Sequence, residues 1–358
     1  MVLLSVTMND GVIPRSEIEG KDNSSADKSN YKVVLMGDMV YNSMRMWQGA
    51  NGISPYDGIV SPAYTVLMPK IPISNGYFAA LFKSPNLINE FRKNSQGMTS
   101  DTWNLKYPQI ETIKVHIPPL SEQNRVADML GTLERRIAKQ AQLVENLKKY
   151  KRGVMQRIFR QLPSQNGAEW ACVRLGDIFK KVSRRNADGV IKNVITNSAE
   201  YGLIPQRDFF DKDIAVDGNT ANYYVIENGD FVYNPRKSNS APCGPFNRYT
   251  LSEQGIISPL YTCLVLQADI SPSYLAWYFK SDAWYRYIYD NGSQGVRHDR
   301  VSMTDDLLMG IPVMYPSHEK QLLYADILDV VEARLQATQK TLDLLSKTRN
   351  GYMKQLFI

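Results

Sequence analysis

Two stretches of the chain carry apolar residues at alternating steps of four and three, which is the spacing of a left-handed coiled coil. The seam of the first stretch contains Val126, Leu130, Leu133, Ile137, Val144 and Leu147. The second stretch lies 198 residues further on, and its seam contains Leu328, Val331, Leu335, Leu342 and Leu345. The same spacing continues to Tyr352 and Leu356, which are therefore also expected to face the seam. Two equivalent seam positions are polar in both copies, as Gln140 and Lys151 and then as Thr338 and Arg349. The matching interruptions predict two long helices that pack on each other.

The relative direction of the two helices is left open by the seam. Helices of about 38 residues would be roughly 57 Å long. We expect antiparallel packing, because the chain between the helices, roughly 160 residues at the scale of one domain, can return from either end. Parallel packing remains the alternative. The polar seam residues either fix the register, as one polar seam position can, or lie near solvent where the helices splay.

The repeat extends beyond the helices. Ser95-Gln96-Gly97 returns as Ser293-Gln294-Gly295, and Gly37-Asp38 returns as Gly229-Asp230. In each copy, short runs of β-branched and aromatic residues alternate with Gly, Pro and Asn turns. A stretch of helical spacing follows, over 76–92 and over 272–289. The pattern predicts an α+β fold in which one module occurs twice.

These patterns divide the chain into five predicted segments. The first module covers 1–117, the first helix 118–160, a linker 161–169, the second module 170–315 and the second helix 316–358. Gly11 aligns with Gly202, so residues 170–191 have no counterpart before Met1. We therefore expect the first module to lack its N-terminal segment. A mis-assigned start, a truncated or recombined gene, or a segment supplied otherwise would each explain this.

Composition adds only broad limits. The 358 residues can bury two or more cores, and the net charge of +6 fits a polyanionic partner without proving one. Cys172, Cys243 and Cys263 form no C-x-x-C pair, which argues against a zinc site or a disulfide framework and fits a reducing cytoplasm. The sequence has no run of 18 apolar residues and no basic-then-apolar leader, so we expect a cytoplasmic protein without a membrane partner.

Catalytic motifs are scarce. The sequence contains neither a G-x-x-x-x-G-K-[ST] phosphate loop nor a G-x-G-x-x-G fingerprint. Glu19-Gly20-Lys21 has the Glu-x-Lys spacing of many nucleases, but no well-placed Asp precedes it. A stand-alone nuclease is therefore a remote alternative, and we predict no catalytic residue and no metal site in this chain.

DNA binding has better support, in polar loops that differ between the copies. Such loops offer cations for phosphates and amide or guanidinium groups for base edges. The candidates in the first module are Asn42, Arg45, Gln48, Gln96 and Thr99, and those in the second are Asn234, Arg236, Lys237, Asn239, Gln294, Arg297, His298 and Arg300. A repeated scaffold with changed loops would suit two readers of different short sequences. The alternative is ordinary loop drift after a duplication.

Three segments carry a family resemblance. Ile117-Pro-Pro-Leu-Ser-Glu-Gln123 leads through the first seam to Leu147-Lys-Lys-Tyr-Lys-Arg-Gly153-Val-Met-Gln-Arg-Ile-Phe159. A second copy runs from Ile311-Pro-Val to Lys354-Gln-Leu-Phe357, and Trp170-Ala-Cys-Val-Arg-Leu-Gly-Asp-Ile-Phe179 is similar to the start of a target-recognition domain. With these segments the chain resembles the specificity (S) subunits of type I restriction-modification systems.

The resemblance implies two target-recognition domains separated by two long helices that pack as an antiparallel coiled coil. Each domain would read one half of a bipartite site in double-stranded DNA. The helices would set the unread spacer and dock two DNA adenine methyltransferase (M) subunits.

The resemblance also implies that the chain is a non-catalytic DNA-recognition subunit without a cofactor of its own. S-adenosylmethionine, ATP and Mg would belong to the M subunits and to motor-nuclease (R) subunits. The alternative is a truncated or degenerate coiled-coil interaction or regulatory protein without sequence-specific DNA binding.

Overall fold

The computed structural model describes residues 1–20, 24–99, 102–160, 170–208, 220–294 and 299–357. The chain divides into two units: unit 1 is Met1–Val144 with Ala337–Ile358, and unit 2 is Glu145–Gln336. Each unit therefore combines one α+β module with segments of both long helices. Among the described residues, no helix combines the length and the apolar character needed to cross a bilayer.

The described residues of unit 1 form seven short strands, three short α-helices and the start of a long helix. In chain order they are β1 Val2–Thr7, β2 Gly11–Pro14, β3 Lys32–Val34, β4 Met39–Asn42, β5 Asn51–Ile53, β6 Gly58–Val60, β7 Tyr64–Leu67, α1 Asn75–Leu81, α2 Pro85–Asn94, α3 Tyr107–Ile110 and α4 Leu120–Phe159. One sheet has the order β2-β1-β6-β3, and a second has the order β5-β4-β7. Strands β1 and β6 are parallel, whereas the other pairs are antiparallel.

Unit 2 repeats this plan with additional elements. In chain order they are β8 Trp170–Arg174, α5 Leu175–Ile178, β9 Phe179–Val182, β10 Ile195–Ser198, β11 Gly202–Pro205, β12 Tyr224–Ile226, β13 Phe231–Tyr233, β14 Phe246–Arg248, β15 Gly255–Ile257, β16 Thr262–Leu266, α6 Pro272–Lys280, α7 Tyr285–Asn291, β17 Ser293–Gln294, β18 Val301–Ser302, α8 Asp305–Met309, β19 Pro312–Pro316 and α9 His318–Leu356. Its main sheet has the order β14-β13-β16-β9. Two-stranded sheets pair β10 with β11, β12 with β15, β17 with β18, and β19 with β8.

The two modules share their strand register. Met39 of β4 pairs with Leu67 of β7, and their counterparts Phe231 and Leu264 pair in β13 and β16. The helix that follows is α1 in unit 1 and α6 in unit 2. Ser74 and Ser271 hold the equivalent positions before it, although only Ser271 caps its helix through the side-chain oxygen. The α+β repeat predicted from the sequence is therefore confirmed.

Aromatic residues fill the core of unit 2. The rings of Phe246 and Phe279 stack at 4.0 Å, and Trp284 packs edge-on against both. The buried hydroxyls of Tyr274 and Tyr278 donate to the carbonyl oxygens of Met314 and Pro312, at 2.8 and 3.0 Å. Because each buried hydroxyl has an acceptor, these tyrosines add apolar area without leaving an unpaired donor.

The long helices run antiparallel in each unit. In unit 1, Arg349 pairs with Glu134 at 3.3 Å, and Gln140 Nε2 donates to the Thr338 carbonyl at 2.9 Å. Later positions on α4 thus meet earlier positions on α9. In unit 2, Lys151 pairs with Glu332 at 2.6 Å. The antiparallel coiled coil is confirmed, and these bonds support the interpretation that the polar seam residues fix the register.

The seam shifts at the end of α9. Met353 and Phe357 are buried there, whereas the heptad positions Tyr352 and Leu356 are exposed. The shift occurs because Phe357 packs on Tyr77 of α1, with ring centroids 5.4 Å apart. In unit 2, Phe159 at the end of α4 packs on Tyr274 of α6 in the same way, at 5.8 Å. Each helix end is thus held by a module, and the heptad expectation for Tyr352 and Leu356 was wrong.

One buried glutamine ties the start of each long helix to its module. Gln123 Oε1 accepts the Ser74 backbone N–H at 3.0 Å, and its Nε2 donates to the Pro118 carbonyl at 2.9 Å. Gln321 makes the same pair of bonds with Ser271 and Pro316 in unit 2, at 2.8 and 2.9 Å. The oxygen and the nitrogen of each buried amide thus have hydrogen-bond partners, which fixes the start of the helix relative to its module.

Candidate nucleic-acid interface

In unit 1 the loop after β4 is built on an Asx turn. Asn42 Oδ1 accepts the Met44 backbone N–H at 3.0 Å. The next carbonyl, that of Ser43, accepts the Leu105 N–H at 2.8 Å. These bonds bring loop 42–48 against segment 103–105, where the rings of Trp47 and Trp103 meet at 5.1 Å.

The second predicted loop of unit 1 joins the first through the same segment. Gln96 and Asn104 exchange backbone hydrogen bonds of 3.0 and 2.8 Å, which close the intervening loop. The described part of that loop ends at Thr99, whose carbonyl accepts the Thr102 hydroxyl at 2.9 Å. Two loops that are distant in sequence therefore form one surface.

Unit 2 builds the equivalent surface with the same bonds. Asn234 Oδ1 accepts the Arg236 N–H at 2.9 Å, and the Pro235 carbonyl accepts the Val301 N–H at 2.9 Å. The Lys237 N–H adds a bond to the Asp299 carbonyl at 2.8 Å. Loop 234–239 thus lies against 299–301, as loop 42–48 lies against 103–105 in unit 1.

The two asparagines shape these loops. Each uses its side-chain oxygen to close the turn, and Asn234 is also buried, with Nδ2 3.4 Å from the Asn197 carbonyl. An amide held in this way fixes the direction of the residues that follow. Direct pairing of Asn42 or Asn234 with a base edge stays a prediction and would require the turn bond to open.

The other candidates differ in exposure. The side chains of Gln48, Gln96, Thr99, Arg236 and Asn239 are exposed, and those of Arg45, Lys237 and Arg300 are half-buried. The exposed pair between Arg236 and Asp299 is long, at 3.8 Å, so the guanidinium is weakly held. Arg297 and His298 lie outside the described residues, as does the side chain of Gln294.

A cleft of about 630 Å³ lies beside the unit 1 loop. Its walls include Asn42, Arg45 and Tyr64, which sit on β4, the loop and β7, and also Arg15 and Tyr31 from the segment after β2. Arg15, Tyr31 and Tyr64 are not among the DNA-binding residues predicted from the sequence. Of these three residues, only Tyr64 could have been found from the repeat, because its counterpart Tyr261 is also a tyrosine.

Tyr261 occupies the corresponding place in unit 2. Burial raises the pKa of Tyr261, and the guanidinium groups of Arg236 and Arg300 partly offset the increase. The two arginines therefore lie near one phenol, next to loop 234–239. A tyrosine with neighbouring arginines can stack on a base and neutralise phosphates, which gives this surface the groups that nucleic-acid contacts use.

The basic excess is concentrated on one helix. Helix α4 carries nine Lys and Arg against four Asp and Glu, whereas α9 carries six against five. Among the residues that the structure describes, no three His, Cys, Asp or Glu side chains are grouped so that they could hold a metal ion.

Comparison with known proteins matches the first copy of the repeat to a family model. Residues 5–149 match the family model described as the type I restriction modification DNA specificity domain. A protein of Methanocaldococcus jannaschii, named as a proposed type I restriction enzyme MjaX specificity subunit, is 22% identical over 216 residues, which are 51% of this chain and 49% of that protein. The first module and the start of α4 therefore match the type I DNA specificity domain family. The matched region spans about half the length of this relative.

Solved structures share the fold of the chain. A chain from a study of complex assembly and conformational transition of the type I R-M system matches with a TM-score of 0.56 at 16% identity, covering 99% of this chain and 90% of that one. The type I S subunit from M. genitalium matches with a TM-score of 0.57 at 15% identity, covering 91% and 84%. The fold class expected from the sequence is confirmed, and the family resemblance is confirmed over residues 5–149.

Proposed function

We propose that this subunit selects the DNA sequence on which a type I restriction-modification complex acts, with each module reading one half of a bipartite site. The observation that carries the proposal is the loop surface that recurs in both units. Equivalent main-chain bonds, Ser43 with Leu105 and Pro235 with Val301, hold it in place. The exposed side chains on it differ between the units, as two readers of different half-sites require.

The two surfaces offer different chemistry to DNA. In unit 2, Arg236 can fork onto a guanine edge or a phosphate, and Lys237 can neutralise a phosphate. In unit 1 only Arg45 carries a charge among the candidates, and Gln48 and Gln96 offer amides that suit adenine. The half-site read by unit 1 is therefore expected to depend less on salt than the half-site read by unit 2.

The helices and the partners belong to the same proposal. The antiparallel pair would set the spacer between the half-sites and dock two M subunits, and R subunits would complete the complex. S-adenosylmethionine, ATP and Mg would be bound by those subunits, so this chain would be non-catalytic and would act in the cytoplasm, where it meets DNA.

The test begins with co-purification of the chain and its methyltransferase, followed by mapping of methylated adenines in host DNA. A bipartite modified motif is the expected result. Recovery of the methyltransferase complex without any bipartite motif would instead support the interaction protein that lacks sequence-specific DNA binding.

A double variant in loop 234–239 tests whether this loop contacts the DNA. Arg236→Ala with Lys237→Ala is expected to weaken binding to the cognate DNA about tenfold and to lower the salt slope by about 1 to 2, because phosphate contacts are lost. Arg286→Ala with Lys192→Ala removes two exposed cations of unit 2 outside the loop and serves as the control. Equal effects of the two double variants would place the DNA elsewhere.

A further inference from the structure

An indole lies between two cations in unit 2. The ring of Trp277 on α6 is buried, with Lys280 Nζ 4.7 Å and Lys151 Nζ 5.4 Å from a ring centroid. Its Nε1 donates to Asp329 Oδ1 on α9 at 2.8 Å, and Lys151 also pairs with Glu332. The ring, the two cations and the two carboxylates thus form one cluster between α6 and the helix pair.

Unit 1 keeps the charges of this arrangement but not the ring. Lys83 corresponds to Lys280, Arg349 to Lys151, and Glu134 to Glu332, and Arg349 again pairs with Glu134, at 3.3 Å. At the positions of Trp277 and Asp329, however, the chain has Ala80 and Gly131. The space is not closed by other groups, because a cleft of about 410 Å³ is lined by all five of these residues.

The local geometry keeps the cleft open. At one end α1 approaches α4 so closely that a Cβ on Gly76 would lie 2.9 Å from the Cβ of Ala127. Further along, a Cβ on Gly131 would meet nothing nearer than the end of the Arg135 side chain, at 3.5 Å. The helices therefore cannot move together to fill the space left by the missing indole.

The polar groups around the cleft are incompletely satisfied. Nε of Arg349 is buried without a hydrogen-bond partner, and Lys83 donates to the Met8 carbonyl at 3.3 Å. Burial lowers the pKa of Lys83, Glu134 and Asp10 oppose that effect, and Arg349 adds to it. Cations withdrawn from water in this way gain from the negative face of an aromatic ring, which is the contact that unit 2 makes internally.

We propose that this cleft between α1 and α4 binds a planar aromatic ring of about the size of indole. The ring is either that of a free aromatic compound or that of a tryptophan on a partner polypeptide, and both offer the same face to Lys83 and Arg349. The cleft is apolar at its small residues and polar at two cations and at the carboxylates of Asp10 and Glu134, and its volume suits such a ligand. Unit 2 carries the equivalent ring as part of its own chain.

The test counts indole sites on the full chain by calorimetry and by ligand-observed NMR. One site is expected on the wild type, none on Ala80→Trp, which supplies the ring covalently, and two on Trp277→Ala, which opens the equivalent space in unit 2. Cyclohexylmethanol, which lacks the π face, is expected to bind at least tenfold more weakly than indole. No indole binding to the wild type, or binding that Ala80→Trp leaves unchanged, would overturn the proposal.

Lys83→Met keeps the inference testable if Ala80→Trp fails to fold. Loss of the cation is expected to weaken indole binding about fivefold while the folded fraction stays constant. An affinity equal to that of the wild type would contradict the role of Lys83 and the proposal with it. A peptide with one tryptophan, compared with its leucine version, separates the sources: binding of the tryptophan peptide favours a partner polypeptide, and binding of indole alone favours a free compound.

Discussion

Units 1 and 2 share three equivalent sheet strands, but among the residues that the structure describes only unit 2 has the outer edge of this sheet covered. There β9 pairs with β16 and β8 pairs with β19. In unit 1, β7 pairs only with β4 among the described residues, and 113–118, the counterpart of β19, forms no strand. As a result, equivalent valines differ in burial: Val313 in unit 2 is 0% exposed, and Val115 in unit 1 is 41% exposed.

The uncovered edge of β7 retains the pattern needed to accept a strand. In unit 2 the Gln267 N–H donates to the Ile178 carbonyl at 2.8 Å, so the bonds to β9 alternate through positions 267, 265 and 263. Their counterparts are Lys70, Met68 and Val66, none of which is proline. Pro69 falls at a position between them, where its missing N–H would not be used. An edge of this kind can accept another strand. The two units therefore differ in the strands that cover this edge, β8, β9 and β19 in unit 2, and not in the shared strands.

Removing part of the cover should have the largest effect. Phe179 is buried against Phe231, at a centroid distance of 5.1 Å. Phe179→Ala is expected to lower the free energy of unfolding of unit 2 by about 3 to 5 kcal/mol, because it leaves a cavity in the aromatic core. Urea titration followed by hydrogen exchange would assign the loss to unit 2.

The valine pair provides the matched control for this first prediction. Val313→Ala should cost about 2 kcal/mol in unit 2, and Val115→Ala less than about 0.5 kcal/mol in unit 1. Similar costs at the two positions would mean that Val115 is buried in solution and would remove the contrast between the units.

Supplying the cover to unit 1 is the second test. A copy of residues 170–191 fused ahead of Met1 is expected to stabilise unit 1 by about 2 kcal/mol, since its apolar side chains would leave water. Amides at 64–70 and 113–118 should then exchange more slowly. The control carries Asp at the copied positions of Leu175 and Phe179, and equal protection by both fusions would contradict specific pairing.

The smallest expected difference concerns the interhelical ion pairs. Burial alone would raise the pKa of Glu332, but bonds from Lys151 and Gln336 hold it below its ordinary value of 4.5. A lowered pKa gives stability that is present above pH 4.5 and lost as the pH falls through the titration of the folded protein.

Glu332→Gln should therefore cost up to about 1 kcal/mol at pH 7 and much less at pH 3. Thermal unfolding at the two pH values would measure it. A cost that does not depend on pH would show that packing, and not charge, matters at this position.

The sequence was most informative where the pattern is local. The heptad spacing predicted α4 and α9, because hydrophobic periodicity directly reports which helix face is buried. It failed at Tyr352 and Leu356, where a contact with Tyr77 from a distant part of the chain replaces the helix partner. The sequence could not predict that two loops join into one surface, because this too depends on contacts between residues that are distant in the chain. The bond between Ser43 and Leu105 links residues that no spacing rule connects, and Tyr64 and Tyr261 are recognisable only once the strands are in place.

The contacts at the ends of the two long helices determine which unit can finish folding first during synthesis. Unit 2 is one continuous segment, Glu145–Gln336, so all its residues have been made before the chain is finished. Unit 1 is discontinuous, and its core includes Met353 and Phe357 packed with Tyr77 and Leu130. On a ribosome the first module must therefore wait until Met353 and Phe357 have been made, and its closing step costs the entropy of a loop that runs from Tyr77 to Met353. The half of the molecule that is translated first is the half that matures last.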